Sequence, residues 1–297
     1  MSDSSVFNIS PSALRLGERL AAGASGTTLY KADLLQGERS FQVAVKKLYT
    51  GGASDAAEAA FLKEVHIAVL ASATCHRACR MLGCCKIDGS PCLVMSLYAS
   101  SAAKHLETQG ALGMAELASM AVEILEGLAQ LHSVNVLHFD LKPANILLDE
   151  YGHAYLADFG ISYALETLQS LTALTNQAGT PRYMQAFLPV FVCLCLMHIM
   201  APEQTDAGFG ARGSHTDVWG FATTVLHLAT GQLPYSGLTP MQIMGAMSRQ
   251  RPPAVPESLP AWLQQVLQRC LSFDVSARPP VLQLLQAGHF FPLSACK

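Results

Sequence analysis

The chain has 297 residues, 51% of them apolar and only 14% charged, with 19 basic against 22 acidic side chains and a net charge of −3. Together with a mean hydropathy of +0.28 this excludes a disordered chain, which needs low hydrophobicity and high net charge. Alanine sets the bland surface, since its 41 copies equal all the charged side chains together.

In chain order, short apolar runs alternating with turn residues predict strands over Leu14–Leu20, Thr28–Ala32 and Phe41–Leu48. After the loop TGGASD, Ser54 or Asp55 can cap a helix running from about Ala56 to Ala71. The runs Arg80–Ile87 and Cys92–Leu97 flank Asp88-Gly89-Ser90 and predict a hairpin. Beyond residue 113 the period changes. Leu117, Ala121, Ile124, Leu128 and Leu131 recur at steps of three and four, one buried face of a helix over Met114–His132. Further helices are expected at Asp217–Ala229, Met241–Ser248, Ala261–Cys270 and Val281–Leu285. The fold class is therefore α+β: a small, mainly β lobe with one helix, a larger helical lobe, and a cleft between them.

The chemistry-bearing residues are concentrated in a few segments. Leu137–Leu148 reads LHFDLKPANILL, which places Asp140, Lys142 and Asn145 within six residues between apolar anchors. Asp158-Phe159-Gly160 begins 13 residues after Asn145, and Val43-Ala44-Val45-Lys46 lies upstream with Glu64 18 residues beyond the lysine. Gly23 and Gly26 sit between the first two strands. Singly these have bland readings: a tight turn, an amphipathic strand with a solvated lysine, a common tripeptide, a satisfied core histidine at His138. Their joint order and spacing resemble the signature set of eukaryotic protein kinases over roughly residues 14 to 290. Ala201-Pro202-Glu203, Asp217-Val218-Trp219-Gly220 and Asp274 with Arg278-Pro279 match landmarks of that family's large lobe.

The resemblance implies a bilobal kinase fold, with an N-lobe over about 14–95, a hinge at 96–99 and a C-lobe over about 100–290. It implies ATP and Mg²⁺ as cofactors and a Ser or Thr hydroxyl of a protein as acceptor. Residues 20–28, with Leu20, Gly23, Gly26 and Thr28, would cover the nucleotide. Lys46 would pair with the α- and β-phosphates, held by Glu64. Met95 would be the gatekeeper beside adenine, and Ser96–Tyr98, with Leu97, the hinge that binds the base. Asp158 and Asn145 would hold metal, Asp140 would accept the hydroxyl proton, and Lys142 would stabilise the transferring phosphoryl. Lys142 and the later Gly179-Thr180-Pro181-Arg182-Tyr183 look like the serine/threonine branch, in the tyrosine-kinase-like group that plants and protists use heavily. Glu203 and Arg278 would form a buried ion pair, and Asp217 would hold the catalytic loop from a central helix.

Three departures from the family pattern carry expectations of their own. Ala21 replaces the leading glycine of the nucleotide loop, which predicts a stiffer loop, and the residue packing on adenine is Thr28 or, with a one-residue insertion, Leu29. Phe139 stands where many kinases have the arginine that pairs with an activation-loop phosphate. Finally, 16 residues, Gln185–Met200, separate Met184 from Ala201 where family members run on without interruption; 13 of them are apolar. This segment is read either as a membrane- or partner-binding loop or as a retained intron. It also motivates an alternative function, a pseudokinase or signalling scaffold whose catalysis the insertion impairs.

The segment contains the most membrane-like run, Ala186–Met197, yet its 12 residues fall short of the roughly 20 needed to span. With no basic run and a pI near 6.3, nucleic acid is a poor partner. The N-terminus lacks the basic-then-apolar pattern of an export signal, so the nine cysteines are expected to be reduced thiols in the cytoplasm. Cys75, His76, Cys79, Cys84, Cys85 and Cys92 superficially resemble a metal cluster. They lack paired C-x₂-C spacing, and three of them fall on strands that alternate faces, so buried thiols are expected.

Overall fold

Alternation builds the first sheet. In the computed structural model, which describes residues 8–22, 27–48, 55–159, 163–164 and 198–286, β1 (Leu14–Ala22), β2 (Thr27–Gln36) and β3 (Arg39–Leu48) form an antiparallel meander. The helix α1 (Asp55–Thr74) follows, then β4 (Met81–Ile87) and β5 (Ser90–Ser96), giving the sheet order β1-β2-β3-β5-β4. Val43, Val45, Cys85, Cys92 and Val94 pack with Leu14, Ala32 and Leu34 on one face. Leu48, Cys84 and Leu93 face the other way and join Phe61, Val65 and Ala68 of α1 in the main core. Cys84 and the Cys85/Cys92 pair thus occupy opposite faces, a placement that suits packing rather than shared ligation. Burial pushes the Cys79 and Cys84 thiols up to about 12.

The strands run longer than the apolar alternation alone suggested, because pairing in the β2/β3 hairpin continues to Gln36 and Arg39 around Gly37. In the β4/β5 hairpin, Asp88 (φ 51°) and Gly89 (φ 74°) alone form the turn, the left-handed pair that a two-residue loop requires. Ser90 is already the first residue of β5.

The larger lobe follows the 3.6-residue period. After β6 (Ser100–Ser101) come α2 (Ala102–Gln109) and α3 (Met114–Ser133). Leu117, Ala121, Ile124, Leu128 and Leu131 of α3 are all at most 1% exposed, the face expected from their spacing. α2, only eight residues long, was not among the expected helices; its Ser101 cap accepts the Lys104 N–H. Short strands β7 (Val136–Leu137), β8 (Ile146–Leu148), β9 (Ala154–Leu156) and β10 (Tyr163–Ala164) bracket the central loop. β7 pairs with β10, and β8 pairs with both β6 and β9. The short helix α4 (Pro202–Thr205) leads to α5 (Ser214–Thr230), α6 (Pro240–Ser248), α7 (Ala261–Cys270) and α8 (Val281–Gln286). α5 is buried on most sides, with Val218, Trp219, Phe221, Ala222, Val225 and Leu228 packed inward and Thr216, Asp217, Thr223 and Thr224 buried beside them. Among the described residues no helix is long and apolar enough to cross a membrane.

Candidate active site

β3 carries Lys46 on the face turned toward α1. Its Nζ lies 2.5 Å from Glu64 Oε1 of α1 and 2.9 Å from Asp158 Oδ1, so one ammonium joins the sheet, the helix and the segment after β9. Burial alone would lower the lysine pKa, but the two carboxylates outweigh it and hold Lys46 above its ordinary value. Burial of Glu64 pushes its carboxyl up against the pull of Lys46. Burial would raise Asp158 as well; there the ammonium wins, and the carboxyl stays below the usual range. Asp158 adopts a left-handed backbone (φ 64°), and its side chain is 45% exposed.

The loop between β7 and β8 is assembled by α5. Asp217, fully buried, accepts hydrogen bonds from His138 N (3.0 Å) and Phe139 N (2.7 Å), and its Oδ2 lies 2.7 Å from His132 Nε2. Burial opposes its charge, yet the His132 contact and its other partners hold its carboxyl below the usual range. Phe139 is buried in a left-handed conformation (φ 63°), which costs a non-glycine residue about 1–2 kcal/mol. Asp217 holds its N–H, and Gln204 Nε2 donates to its carbonyl at 2.8 Å, so both ends of the strained residue are fixed. His138 Nδ1 accepts from Asp140 N at 3.3 Å and Nε2 lies 3.2 Å from Ala157 O, which assigns the proton to Nε2. Thr224 of α5 donates to Leu141 O at 3.1 Å.

These constraints present Asp140 with one oxygen committed and one open. Oδ2 accepts from Lys142 Nζ at 2.7 Å and from Asn145 Nδ2 at 2.9 Å, while Nδ2 also donates to Asp140 O at 2.8 Å. The Asn145 amide thus spends its N–H groups on Asp140, which leaves the carbonyl oxygen as the end that can meet a cation. That oxygen and the Asp158 carboxylate are hard donors, the set that suits Mg²⁺.

Lys46, Glu64 and Asp158 thus form one contact group and Asp140, Lys142 and Asn145 another, with the Lys142 charge close enough to help lower the Asp158 carboxyl. Met95 lies on β5 opposite Ala44 and Met81 and packs against the main core; Ser96 N bonds Arg80 O at 2.9 Å, and Leu97 and Tyr98 follow. Leu20 is 42% exposed, the extra residue of β1 where its pairing to β2 slips between Arg19 and Ala21. Gly23, Gly26, Gly160, Thr180 and residues 185–197 lie outside the described residues.

Register corrects one assignment. β2 pairs with β3 without a slip, and Leu29 stands opposite Lys46, whereas Thr28 stands opposite Lys47 on the other face. Leu29, not Thr28, shares the Lys46 face. The register shifts of the β1/β2 pair lie between Leu16 and Arg19 and between Arg19 and Ala21. Ala21 is extended and paired with Leu29, so the left-handed backbone that alanine resists is not required of it.

The family model described as protein tyrosine and serine/threonine kinase matches residues 14–287. The chain belongs to this kinase family. It is 30% identical over 212 residues to the protein kinase of the outer chloroplast membrane 1 of Arabidopsis thaliana, covering 70% of this chain and 32% of that protein. Serine/threonine-protein kinase STY46 of the same plant is 28% identical over 284 residues, 95% of this chain and 44% of that one. A probable serine/threonine-protein kinase of Dictyostelium discoideum is 26% identical over 279 residues, 94% and 51% respectively. The chain thus spans about a third to a half of the length of these three relatives. Within the kinase chain, sequence reasoning missed His132, Gln204 and Thr224, which hold the loop from outside it; a single histidine, glutamine or threonine carries no spacing signal. Leu29 could have been found by counting cross-strand partners from Gly37.

Proposed function

We propose that this kinase transfers the γ-phosphoryl group of ATP to serine or threonine hydroxyls of proteins, with Mg²⁺, from one domain over about residues 14–290. The observation that carries the proposal is the Lys46 ammonium held between Glu64 and Asp158 beside an Asp140 with one oxygen left open. In this reading Lys46 pairs with the α- and β-phosphates, and Glu64 fixes its direction. Asp158 and Asn145 hold Mg²⁺, which supplies neutralisation of phosphate charge when bound. Adenine lies beside Met95 and the hinge Ser96–Tyr98, with Leu97, and between Leu20 and Leu29. As the acceptor oxygen bonds to the γ-phosphorus, the bond to the β–γ bridging oxygen breaks, ADP leaves, and Asp140 Oδ1 takes the hydroxyl proton. Lys142, 2.7 Å from Asp140 Oδ2, is placed to balance charge on the moving phosphoryl. The free, buried thiols support a reducing, cytoplasmic setting.

The test is transfer of radiolabelled γ-phosphate to a generic protein substrate, with acid hydrolysis to identify the acceptor, by the chain with and without residues 185–200. Labelled phosphoserine or phosphothreonine is the expected result. Label only on tyrosine, or none from either chain, overturns the reading.

A second expectation concerns Phe139. Its buried ring leaves no arginine at that position to pair with a loop phosphate, so phosphatase treatment before assay is expected to leave turnover unchanged. Loss of activity on dephosphorylation would show that another cation reads such a phosphate.

A further inference from the structure

The β4/β5 hairpin sets Cys85 directly opposite Cys92. Both are free thiols on the sheet face that turns away from Lys46 and Leu93. The ladder decides how close they come. Pro91 has no N–H and stands opposite Lys86, which suits only a non-hydrogen-bonded pair, so the neighbouring Cys85–Cys92 pair is of the hydrogen-bonded kind. The α-carbons of such a pair lie about 5.5 Å apart, inside the span of about 4.4–6.8 Å that a disulfide bridges. Cys84 packs in the main core on the other face.

The two sulfurs are chemically unlike. A hydrogen bond from Cys92, aided by the Lys47 charge, holds the Cys85 thiol below its ordinary value against burial and Cys84. The same hydrogen bond, with burial, pushes Cys92 up. Lys47 stands opposite Cys92 on β3 and reaches Asp88 Oδ2 at 3.2 Å, so its ammonium lies along this face. Cys92 keeps its proton and has Ser90 O as a second acceptor at 3.4 Å. Cys85 is thus the sulfur disposed to react as thiolate.

Access to the pair is set by a short cover. Cys85 and Cys92 are 1% and 0% exposed. Among the described residues, Ile9 and Ala13 pack over their face, together with Leu16, Leu82 and Ile87 of the sheet itself, whereas α1 packs on the opposite side. The segment that brings Ile9 is tied to β4 through Asn8 N and Ile9 N, which donate to Cys84 O at 3.1 and 3.0 Å, and through Cys84 N, which donates to Asn8 Oδ1 at 3.1 Å. An irregular stretch held in this way opens at lower cost than a strand or a long helix.

We propose that Cys85 and Cys92 are an oxidation site, at which a hydroperoxide closes an intrachain disulfide when residues 8–13 lift from the sheet. The Cys85 thiolate attacks one peroxide oxygen, the O–O bond breaks, and the other oxygen leaves as hydroxide, giving a sulfenic acid at Cys85. The Cys92 sulfur then attacks Cys85, the S–O bond breaks, and the leaving hydroxide departs as water with the Cys92 proton. Two thiols and one hydrogen peroxide become one disulfide and two waters, the sulfurs losing the two electrons that the peroxide gains. A dithiol reverses the step by exchange. The pair faces away from Lys46, so the site stands apart from the kinase reading.

The test treats the full, reduced chain with hydrogen peroxide, alkylates the remaining thiols in denaturant and digests with trypsin. The expected product joins Met81–Lys86 to Ile87–Lys104, two hydrogens lighter than the separate peptides, and dithiothreitol releases it. Fragmentation between Cys84 and Cys85 is expected to place the bond on Cys85 in the native chain, without recourse to a variant. Cys84→Ser is expected to keep the join and Cys85→Ser to lose it. Cys270, whose thiol burial pushes up to about 12, is the internal reference and is expected to stay reduced while the pair oxidises. Ile9→Ala is expected to speed closure roughly tenfold by loosening the cover. A bond on Cys84, joins only between two copies of the chain, oxidation of Cys270 ahead of the pair, or an unchanged rate in Ile9→Ala overturns the proposal.

Discussion

Replacing Asp140 by asparagine is expected to lower kcat for phosphoryl transfer by about 10²–10⁴-fold, the range for loss of a positioned proton acceptor, with little change in the KM for ATP. The reason is local. Oδ2 of Asp140 is held by Lys142 and Asn145, and in the proposed reading the other oxygen meets the acceptor while the nucleotide phosphates meet Lys46. An amide of the same shape keeps the loop but cannot take the hydroxyl proton. An interaction made only as the acceptor attacks appears in kcat and not in ground-state binding. Steady-state turnover over a series of ATP concentrations, with a thermal melt to show that the variant is folded, is the measurement. Undiminished turnover would mean that Asp140 neither orients nor deprotonates the acceptor, and the roles assigned to Lys142 and Asn145 around it would fall too.

The residues around Asp140 also show what could be read in advance. Asp140, Lys142 and Asn145 were legible because the chemistry is compressed into one loop, and Lys46, Glu64 and Asp158 because their order along the chain matches one arrangement. The helix α7 was legible to the residue, since Leu263, Val266, Leu267 and Cys270 form a strict buried stripe. What was not legible depends on partners distant in sequence. The choice between Thr28 and Leu29 is a parity question that only the register with β3 answers, and a slip of one residue exchanges the two faces. Gln204 holds Phe139 from 65 residues away, through a backbone carbonyl that leaves no trace in side-chain pattern. Of the apolar segment 185–200, only its end is described: His198 Nδ1 lies 2.7 Å from Pro234 O, and Ile199 O accepts from Thr223.

The largest effect on stability is expected at Arg278. Its guanidinium meets Glu203 twice, NH1 to Oε1 at 2.7 Å and NH2 to Oε2 at 2.9 Å, with both side chains fully buried. It also donates to Ser272 O and His215 O and stacks over Trp219 at 5.0 Å. Arg278→Met leaves the Glu203 carboxylate buried without its cation, which costs about 3–5 kcal/mol and, for a domain of this size, is expected to lower Tm by roughly 10 °C or more. The double variant Glu203→Met with Arg278→Met is expected to recover part of the loss, because no charge then remains buried alone. Acid supplies an independent check. Burial would raise the Glu203 carboxyl, but Arg278 outweighs it and holds it below the usual range, so the pair's contribution is present above the unfolded value and is lost only as pH falls through the lower folded one. Without Arg278 burial dominates and the folded value rises, so the variant loses stability as pH increases and regains it as pH falls. The Tm gap between native chain and variant is therefore expected to narrow from pH 8 to pH 5. A gap that is small at pH 8, or one that widens with acid, would show that the pair does not hold α4 in place. Since α4 carries Gln204, whose amide fixes the Phe139 carbonyl next to Asp140, the same variant is expected to lose turnover at temperatures below its own melting point, where the fold persists but the loop is no longer held from both sides.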